Sequence, residues 1–366
     1  MRGVPPLPAD GVSTSPGPDF AGAACPIPIA EHETIQLAHG GGGRLTKTLI
    51  ETIFVPQFAN AALDELHDGA VLDIGGSRLA FTTDSFVVRP IFFPGGDIGT
   101  LAINGTVNDL AMCGARPLGL SAGVILEEGF PIEDLRRVAV SMKRAAERAA
   151  VSIVTGDTKV VDRGKGDGVY INTSGVGVVP PGVAISPKLA RPGDVVLLSG
   201  SMAVHGIAIM SVREGLEFGT ELTSDTAPLS GIVDALVSRL GSRVHVLRDP
   251  TRGGVATSVN ELAMSGGVGI VLDERSLPVH EQVQGACEIL GLDPLYVANE
   301  GIFLAIVERA VAEEALAIVR ADPLGGGAVI VGEVVAEHPG MAWLATRIGG
   351  TRVLDLLSGE QLPRIC

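Results

Sequence analysis

The sequence has few aromatic residues, few basic residues and little cysteine, and each shortage argues against a class of protein. Aromatic residues make up 4% of the 366 residues and hydrophobic residues 46%, so aliphatic side chains must form the core. The 27 Lys and Arg face 42 Asp and Glu, and a net charge of −15 leaves no basic face for nucleic acid. Neither a zinc site nor a disulfide framework is indicated, because the four cysteines form no Cys-x-x-Cys pair.

Long hydrophobic runs are also missing. No stretch of about 18 apolar residues could span a membrane, and the first residues lack the apolar segment of a secretory signal. Widely spaced cysteines fit a reducing compartment. These absences predict a protein of the cytoplasm that does not enter a membrane.

The length and the apolar patterning predict two domains of α/β (α+β) class. Residues 1–33 are rich in Pro, Gly, Ala and Ser without periodicity, which predicts a disordered extension. Strand-like and helical patterns then alternate, and Pro-Gly breaks at 180–194 separate them into an N-terminal domain (34–182) and a C-terminal domain (183–350). The most regular helical pattern covers residues 132–149. Residues 351–366 are expected to form a flexible tail.

A glycine-rich loop at residues 39–43 precedes a helical run that begins near Leu45. Successive glycines let backbone N–H groups converge on an anion, and a following helix N-terminus favours negative charge. The loop therefore suggests phosphate binding, although a flexible hinge has the same composition. The candidate residues are His39, Gly40, Gly42 and Gly43.

Five aspartates lie in apolar or glycine-rich surroundings, several of them at the ends of strands. Such carboxylates suit Mg²⁺ held between protein and nucleotide phosphates, but each one alone could equally cap a helix or a turn. Lys159 and Arg252 could neutralise phosphate charge. The aspartates are Asp84, Asp97, Asp109, Asp157 and Asp249.

Cys366 is the last residue of the sequence, on a segment without periodicity, and an exposed thiol is expected there. It does not form a prenylation signal, which needs cysteine four residues from the end. The thiol is either incidental or a covalent carrier on a mobile arm. Glu300, at the entrance to an apolar strand, is a candidate base.

Taken together, seven segments resemble the HypE family of hydrogenase maturation factors, from about Thr34 to Cys366. The order, the spacing and the terminal cysteine all agree with that family. The segments are Leu37-Ala-His-Gly40, Phe81-Thr-Thr-Asp-Ser-Phe86, Phe93-Pro-Gly-Gly-Asp97, Asn108-Asp-Leu-Ala-Met-Cys-Gly114, Val154-Thr-Gly-Asp-Thr-Lys-Val-Val161, Asp249-Pro-Thr-Arg-Gly-Gly254 and Pro363-Arg-Ile-Cys366.

The resemblance implies the fold of the aminoimidazole ribonucleotide synthetase (PurM-like) superfamily, in which two N-terminal domains pair into a barrel-like homodimer core. It implies a carbamoyl dehydratase that uses ATP and Mg²⁺. A HypF-like carbamoyltransferase would load a carbamoyl group onto Cys366, ATP would drive its dehydration to a thiocyanate, and the cyanide would pass to iron on a HypC–HypD complex.

The resemblance also implies residue roles. Cys366 would carry the substrate, Glu300 would act as the base, and Lys159 would lie near the phosphates and the amide. The metal ligands would come from Asp84, Asp97, Asp109 and Asp249. The residues that would bind nucleotide are His39, Gly40, Gly42, Gly43, Asp84, Asn108, Asp109, Asp157, Thr158 and Arg252.

The sequence departs from the family pattern at Gly41, where the loop usually carries serine. Asp97 also stands where other members can carry asparagine, which weakens its metal role. Other interpretations stay open: another ATP-dependent enzyme of the superfamily, such as selenophosphate synthetase or thiamine-phosphate kinase, or a non-catalytic maturation scaffold. Cys25 is the closest candidate for the reactive cysteine that a selenophosphate synthetase carries beside its glycine loop.

Overall fold

The computed structural model describes residues 32–215, 222–357 and 364–366. Residues 1–33 form one unit and residues 34–366 another. Only His32 and Glu33 of the first unit are described, so the predicted disordered extension, with Cys25, lies outside the described residues.

Short helices connect the glycine loop to the first sheet. A 3-10 turn covers Leu37–Gly40, and the helical run that the sequence predicts from Leu45 begins one residue earlier. The run consists of α1 (Arg44–Leu49), a π-helical turn (Ile50–Phe54) and α2 (Val55–Phe58), and a second 3-10 turn follows at Leu63–Glu65.

The first sheet has five strands in the order β1-β2-β7-β5-β6. In chain order the elements are β1 (Ala70–Ile74), β2 (Ser77–Phe86), the short pair β3 (Phe92–Phe93) and β4 (Gly96–Asp97), α3 (Ile98–Met112), β5 (Arg116–Glu127), α4 (Ile132–Arg148), β6 (Ile153–Val161) and β7 (Val169–Val178). Strands β5 and β6 are parallel, and the other neighbours are antiparallel. Helix α3 packs on the sheet, and α4 packs on α3.

The sequence pattern predicts helix α4 but not helix α3. Helix α4 confirms the pattern at 132–149, with Glu133 and Asp134 in its first turn and Arg148 in its last, as the helix dipole favours. Helix α3 is buried along its whole length, and only Asp109 of its residues is not buried. A helix surrounded by protein needs no polar face, so α3 shows no amphipathic pattern.

The second sheet has seven strands in the order β14-β13-β10-β12-β8-β11-β9. Its elements in chain order are β8 (Val195–Leu198), α5 (Val204–Glu214), α6 (Ser230–Leu240), β9 (Val244–Arg248), α7 (Gly254–Gly266), β10 (Gly269–Asp273), α8 (Glu281–Leu290), β11 (Leu304–Val307), α9 (Ala312–Ala321), β12 (Val329–Val335), β13 (Ala342–Ala345) and β14 (Thr351–Leu354). Strands β10 and β13 are parallel. Among the described residues, no helix has the length and apolar character needed to cross a membrane.

Two hydrophobic clusters hold these elements together. The first joins the inner face of the first sheet to α6, α9 and one face of the second sheet, and includes Leu197 and Ala305. The second lies under the opposite face, among α5, α7 and α8, and includes Val196 and Leu304. Strand β8 is therefore buried on both faces, which explains its unbroken apolar sequence. The two-sheet α/β (α+β) architecture is as predicted, and the boundary at 180–194, between β7 and β8, stays a prediction.

The prediction of a flexible tail from Thr351 is wrong for its first residues. Thr351–Leu354 form β14, which pairs with β13. The strand is short and lies at the edge of the sheet, so it has too few residues to show alternation. Residues 358–363 lie outside the described residues.

Candidate active site

The glycine loop is packed against two other parts of the chain. Gly42 has a φ of +76°, and a Cβ there would lie 2.7 Å from the Cβ of Arg252. A Cβ on Gly43 would lie 2.5 Å from the carbonyl oxygen of Leu357. Glycine is required at both positions because any side chain would collide with these neighbours. The loop is therefore a fixed structure and not a hinge.

Arg252 ties this loop to the rest of the site. Its Nη1 donates to the carbonyl oxygen of Gly40 at 3.0 Å. Nearby acidic groups raise its pKa, first Cys366 and then Asp84 and Glu300. His39 is turned to its own helical turn, where the backbone N–H of Gln36 donates to its Nδ1 at 2.9 Å. Arg252 thus places a positive charge between the loop and the thiol.

A cluster of carboxylates lies next to the loop. Oxygen atoms of Asp68, Asp109 and Asp249 lie within 4.8 Å of one another. Burial and the neighbouring aspartates raise the pKa of Asp249 to about 8 and that of Asp109 well above its usual range. Burial likewise raises the pKa of Asp84, which lies close enough to raise the pKa of Asp109 and of Asp249. Four elements converge here: the entrance to β1, strand β2, the last turn of α3 and the end of β9.

The carboxylate cluster suits a divalent cation. Its donors are all carboxylate oxygens, the type that Mg²⁺ prefers, and their mutual repulsion would be relieved by a cation. Asp68 Oδ2 is buried and has no hydrogen-bond partner among the described residues, while Asp68 Oδ1 pairs with Arg248 at 2.7 Å. Sequence reasoning missed Asp68. Its signal is the one used for the others, an acidic residue beside glycine at the end of a strand.

Two predicted residues have other roles. Asp97 caps α3 by accepting hydrogen bonds from the Thr100 N–H at 2.8 Å and the Ser141 hydroxyl at 2.6 Å. It lies at the opposite end of α3 from Asp109, about 18 Å away at ~1.5 Å per residue, so its predicted metal role is wrong. Asn108 does not face a nucleotide either, because its side-chain amide binds the backbone of Ala227, Leu229 and Glu300.

Residues 157–159 lie on β6, away from the carboxylate cluster of the same chain. Asp157 and Lys159 pair with each other at 2.6 Å on β6, and their side chains are 70% and 68% exposed. Four residues are cross-strand partners in a line across the sheet: Ser85 on β2, Asn172 on β7, Gly123 on β5 and Asp157 on β6. Asp157 therefore lies three strand spacings, about 14 Å, from β2. Within one chain, Asp157, Thr158 and Lys159 therefore lie apart from Asp84, and their predicted roles at the nucleotide site stay a prediction. The spacing of motifs along a sequence does not give their order in a sheet.

The end of the chain enters the site, although an exposed thiol was expected. Cys366 is partly buried against the first core cluster, and its thiol lies beside the Glu300 carboxylate. Desolvation and the Glu300 charge raise the pKa of the thiol. Burial, with Asp249 and Asp225 nearby, raises the pKa of Glu300 well above its usual range. A buried carboxylate with a raised pKa beside a nucleophile is a typical arrangement for acid–base chemistry.

A cavity of about 630 Å³ lies beside these groups and is lined by the glycine loop, Asp68, Asp249 and Arg252. Its size suits a nucleotide, since ligand cavities commonly measure ~300–1,000 Å³. A larger cavity of about 740 Å³, around Arg309 and Thr346 on the second sheet, contains none of the predicted residues.

Comparison with known proteins agrees with this geometry. The family described as AIR synthase related protein matches in both parts, its N-terminal domain at residues 66–179 and its C-terminal domain at residues 191–343. The chain is 54% identical to the carbamoyl dehydratase HypE of Cupriavidus necator over 333 residues, which covers 91% of this chain and 95% of that protein. This chain belongs to the HypE family of carbamoyl dehydratases. The resemblance seen in the sequence is confirmed.

Solved HypE structures share the fold. A crystal structure of the hydrogenase maturation protein HypE in complex with ATP superposes with a TM-score of 0.77 at 50% identity, covering 91% of this chain and all of that one. The HypE chain of a HypE–HypF complex gives a TM-score of 0.80 at 48% identity, covering 84% and 99% of the two chains. As a HypE-family member, the chain is a hydrogenase maturation enzyme.

Asp249→Asn is expected to weaken Mg²⁺ binding, because one of the three clustered carboxylates is lost. Saturating Mg²⁺ with ATP should raise the melting temperature of the wild-type chain, since a ligand that binds only the folded state stabilises it, and the variant should lose most of that rise. Thermal unfolding with and without Mg²⁺ measures the difference.

Asp97→Asn is the matched control for this variant, since asparagine caps helices about as well as aspartate. It should keep the full Mg²⁺-dependent rise in melting temperature. If both variants respond to Mg²⁺ like the wild type, the carboxylate cluster is not the metal site.

Proposed function

We propose that the chain dehydrates a carbamoyl group carried on Cys366 to a thiocyanate, and so supplies cyanide for the iron of [NiFe]-hydrogenase. One observation carries this proposal: the Cys366 thiol lies beside buried Glu300, next to Arg252 and the carboxylate cluster. A carrier thiol, a base and groups able to bind phosphate are thereby gathered in one place. An incidental terminal cysteine would have no reason to occupy this position.

The reaction balances with these groups. The carbamoyl thioester R–S–C(=O)–NH₂ gives its oxygen to the γ-phosphoryl group of ATP, which leaves as phosphate, and its nitrogen gives up two protons. The products are R–S–C≡N, ADP, phosphate and one net proton, because the phosphate keeps the other. Glu300 is placed to take a proton from nitrogen, since its carboxylate lies beside the sulfur that carries the group.

The nucleotide would occupy the cavity beside the glycine loop. Gly42, Gly43 and Arg252 line the cavity, Arg252 also binds the Gly40 carbonyl oxygen, and a HypE crystal structure contains ATP. Asp68, Asp109 and Asp249, with Asp84 beside them, would hold Mg²⁺. The cation would neutralise the phosphate charge during phosphoryl transfer.

Loading must occur outside this site. A thiol whose pKa is raised by burial and by Glu300 is a poor nucleophile, because the thiolate is the reactive form. A HypF-like carbamoyltransferase would therefore act on Cys366 after the end of the chain has left the site, and a relative has been crystallised as a HypE–HypF complex. The product would leave by the same movement to reach a HypC–HypD complex.

A second copy would complete the site. Apolar side chains of the first sheet are exposed on the face that also carries Asp157 and Lys159, among them Ile74 at 55% and Phe81 at 46%. A homodimer that pairs these faces would bury them and bring Lys159 of one chain toward the site of the other. This accounts for a lysine that the family motif includes and that its own chain leaves exposed.

The test of the function is intact-protein mass spectrometry. The chain is incubated with carbamoyl phosphate, ATP, Mg²⁺ and its HypF-like donor, and then with a non-hydrolysable ATP analogue instead of ATP for the second step. A Cys366 adduct of ~43 Da should fall to ~25 Da only when ATP can be hydrolysed, from the formulae of the two groups on an activated thiolate. No adduct, or an adduct that never loses ~18 Da, would leave only a scaffold or another ATP-dependent activity.

A further inference from the structure

The end of the chain is held by a small set of groups, here named the tail groove: Val87, Arg89, Asp167, His205 and Arg213. The backbone N–H of Val87 donates to the Cys366 oxygen at 3.3 Å, and that of Arg89 donates to the Arg364 oxygen at 3.2 Å. Both bonds run from the segment that follows β2 to backbone oxygens of the terminal residues, and backbone hydrogen bonds of this kind are a common means of binding peptides.

The carbonyl oxygen between them is also bound. His205 Nε2 lies 2.8 Å from the Ile365 oxygen, and Nδ1 lies 2.8 Å from the Ser224 hydroxyl. Because a carbonyl can only accept, His205 must carry its hydrogen on Nε2, and Ser224 then donates to Nδ1. His205 is completely buried, and burial lowers its pKa to about 4, so the imidazole is neutral. Each of the three terminal backbone oxygens therefore has a donor.

Two side chains of the terminal tripeptide are recognised as well. The Arg364 guanidinium pairs with Asp167 at 2.9 Å, and Arg213 contacts the carbonyl oxygens of Arg364 and Arg89. Ile365 is only 2% exposed and belongs to the first core cluster. The third side chain, that of Cys366, meets Glu300. Every one of these contacts is made by residues 364–366.

We propose that the tail groove is a docking site for short peptides ending in Arg-Ile-Cys, and that it accepts and dehydrates an S-carbamoyl peptide supplied by a separate molecule. The inference rests on the proposed function. Among the described residues, recognition of the end of the chain lies in residues 364–366, and the covalent link to the chain would then supply a high effective concentration, which is of millimolar order for a short linker. A free peptide at that concentration replaces the link.

The reaction in trans has the balance given above. The peptide R–S–C(=O)–NH₂ gives its oxygen to the γ-phosphoryl group of ATP and two protons from nitrogen, and R–S–C≡N is released. No other reactant is needed, because ATP is the only source of driving force.

The experiment uses the full chain with an altered end, Arg364→Ala, Ile365→Ala and Cys366→Ala together, so that its own tail no longer competes. The peptide Pro-Arg-Ile-Cys, carbamoylated on sulfur with cyanate, is added with Mg²⁺ and ATP, and its mass is followed. We expect a loss of ~18 Da that saturates at about millimolar peptide. The peptide Pro-Arg-Cys-Ile, with the last two residues exchanged, should not react.

A charge exchange tests recognition independently of turnover. A fluorescent, uncarbamoylated form of the peptide should bind the altered chain, and adding Asp167→Arg should weaken that binding about fivefold or more. A peptide with Glu in place of Arg should recover it. A merely structural role of Asp167 would not produce this recovery.

The outcomes separate the two proposals. If the wild-type chain dehydrates its own loaded Cys366 but the peptide neither binds nor reacts at several millimolar, on the order of the effective concentration, the docking proposal is wrong and the function stands. If the wild type shows no dehydration, the function fails, and binding with charge exchange still decides whether the tail groove recognises the peptide.

Discussion

Glu300→Gln is expected to slow the dehydration of loaded Cys366 by about 10²–10⁴-fold, the usual contribution of a positioned general base. Glutamine keeps the shape of the side chain but removes the carboxylate that receives the proton from nitrogen. Loading should be unchanged, because it takes place away from Glu300. ATP binding should also be kept, since Glu300 does not line the cavity of the glycine loop. Quenched single-turnover samples of the loaded chain, weighed as intact protein, give the rate.

The pH dependence of the dehydration rate tests the same role of Glu300. Glu300 must be ionised to accept a proton, so the wild-type rate should rise as pH increases through its raised pKa and fall below it. Glu300→Gln should lack this rise. Glu308→Gln is the matched control, because Glu308 follows β11 whereas Glu300 precedes it, and it should retain both the rate and the pH profile. An unchanged rate in Glu300→Gln would assign the base to another group.

Mixing two inactive variants is expected to restore activity if Lys159 serves the partner's site. Lys159→Ala removes the lysine, and Cys366→Ala removes the carrier thiol, so neither homodimer should form thiocyanate. In a mixed dimer, the Lys159→Ala chain keeps its thiol and Glu300 and receives the intact lysine of the other chain. One of the two sites in each mixed dimer is intact, so the purified mixed dimer should show about half of the wild-type rate.

The matched control is the pair Glu300→Gln and Cys366→Ala. Glu300 and Cys366 touch within one chain, so their defects lie in the same site and a mixed dimer should stay inactive. The variants are co-expressed with different tags, and the mixed dimers are purified before assay. Purified Lys159→Ala/Cys366→Ala dimers without activity would show that Lys159 acts within its own chain or not at all.

The helices show what a single sequence reveals. Helix α4 lies on the surface of α3, so its apolar stripe, acidic first turn and basic last turn are all visible in the sequence. Helix α3 is buried on every side, so its composition carries no period. Strand β8 is also buried, but the sequence does predict it, because a short apolar run bounded by turns is typical of a buried strand.

The aspartates show the same limit within the site. Asp97 and Asp109 were both candidate metal ligands in the sequence, and only the fold separates a helix cap from a member of the carboxylate cluster. Asp68 was overlooked, yet tertiary packing brings it within 4.8 Å of Asp109 and Asp249. Carboxylates that are distant in sequence converge because β1 begins where α3 and β9 end.

The sequence by itself determined the family and the glycine loop, and it singled out Cys366 and Glu300 as candidates for the carrier and the base, because each depends on residue types in a fixed local order. Tertiary structure alone decided which aspartates meet, that Lys159 faces away from its own site, and that the last three residues dock with each backbone oxygen bound. Local patterns record what a segment needs for its own folding. Which segments meet depends on strand order and on long-range packing, and neither is encoded in the spacing between motifs.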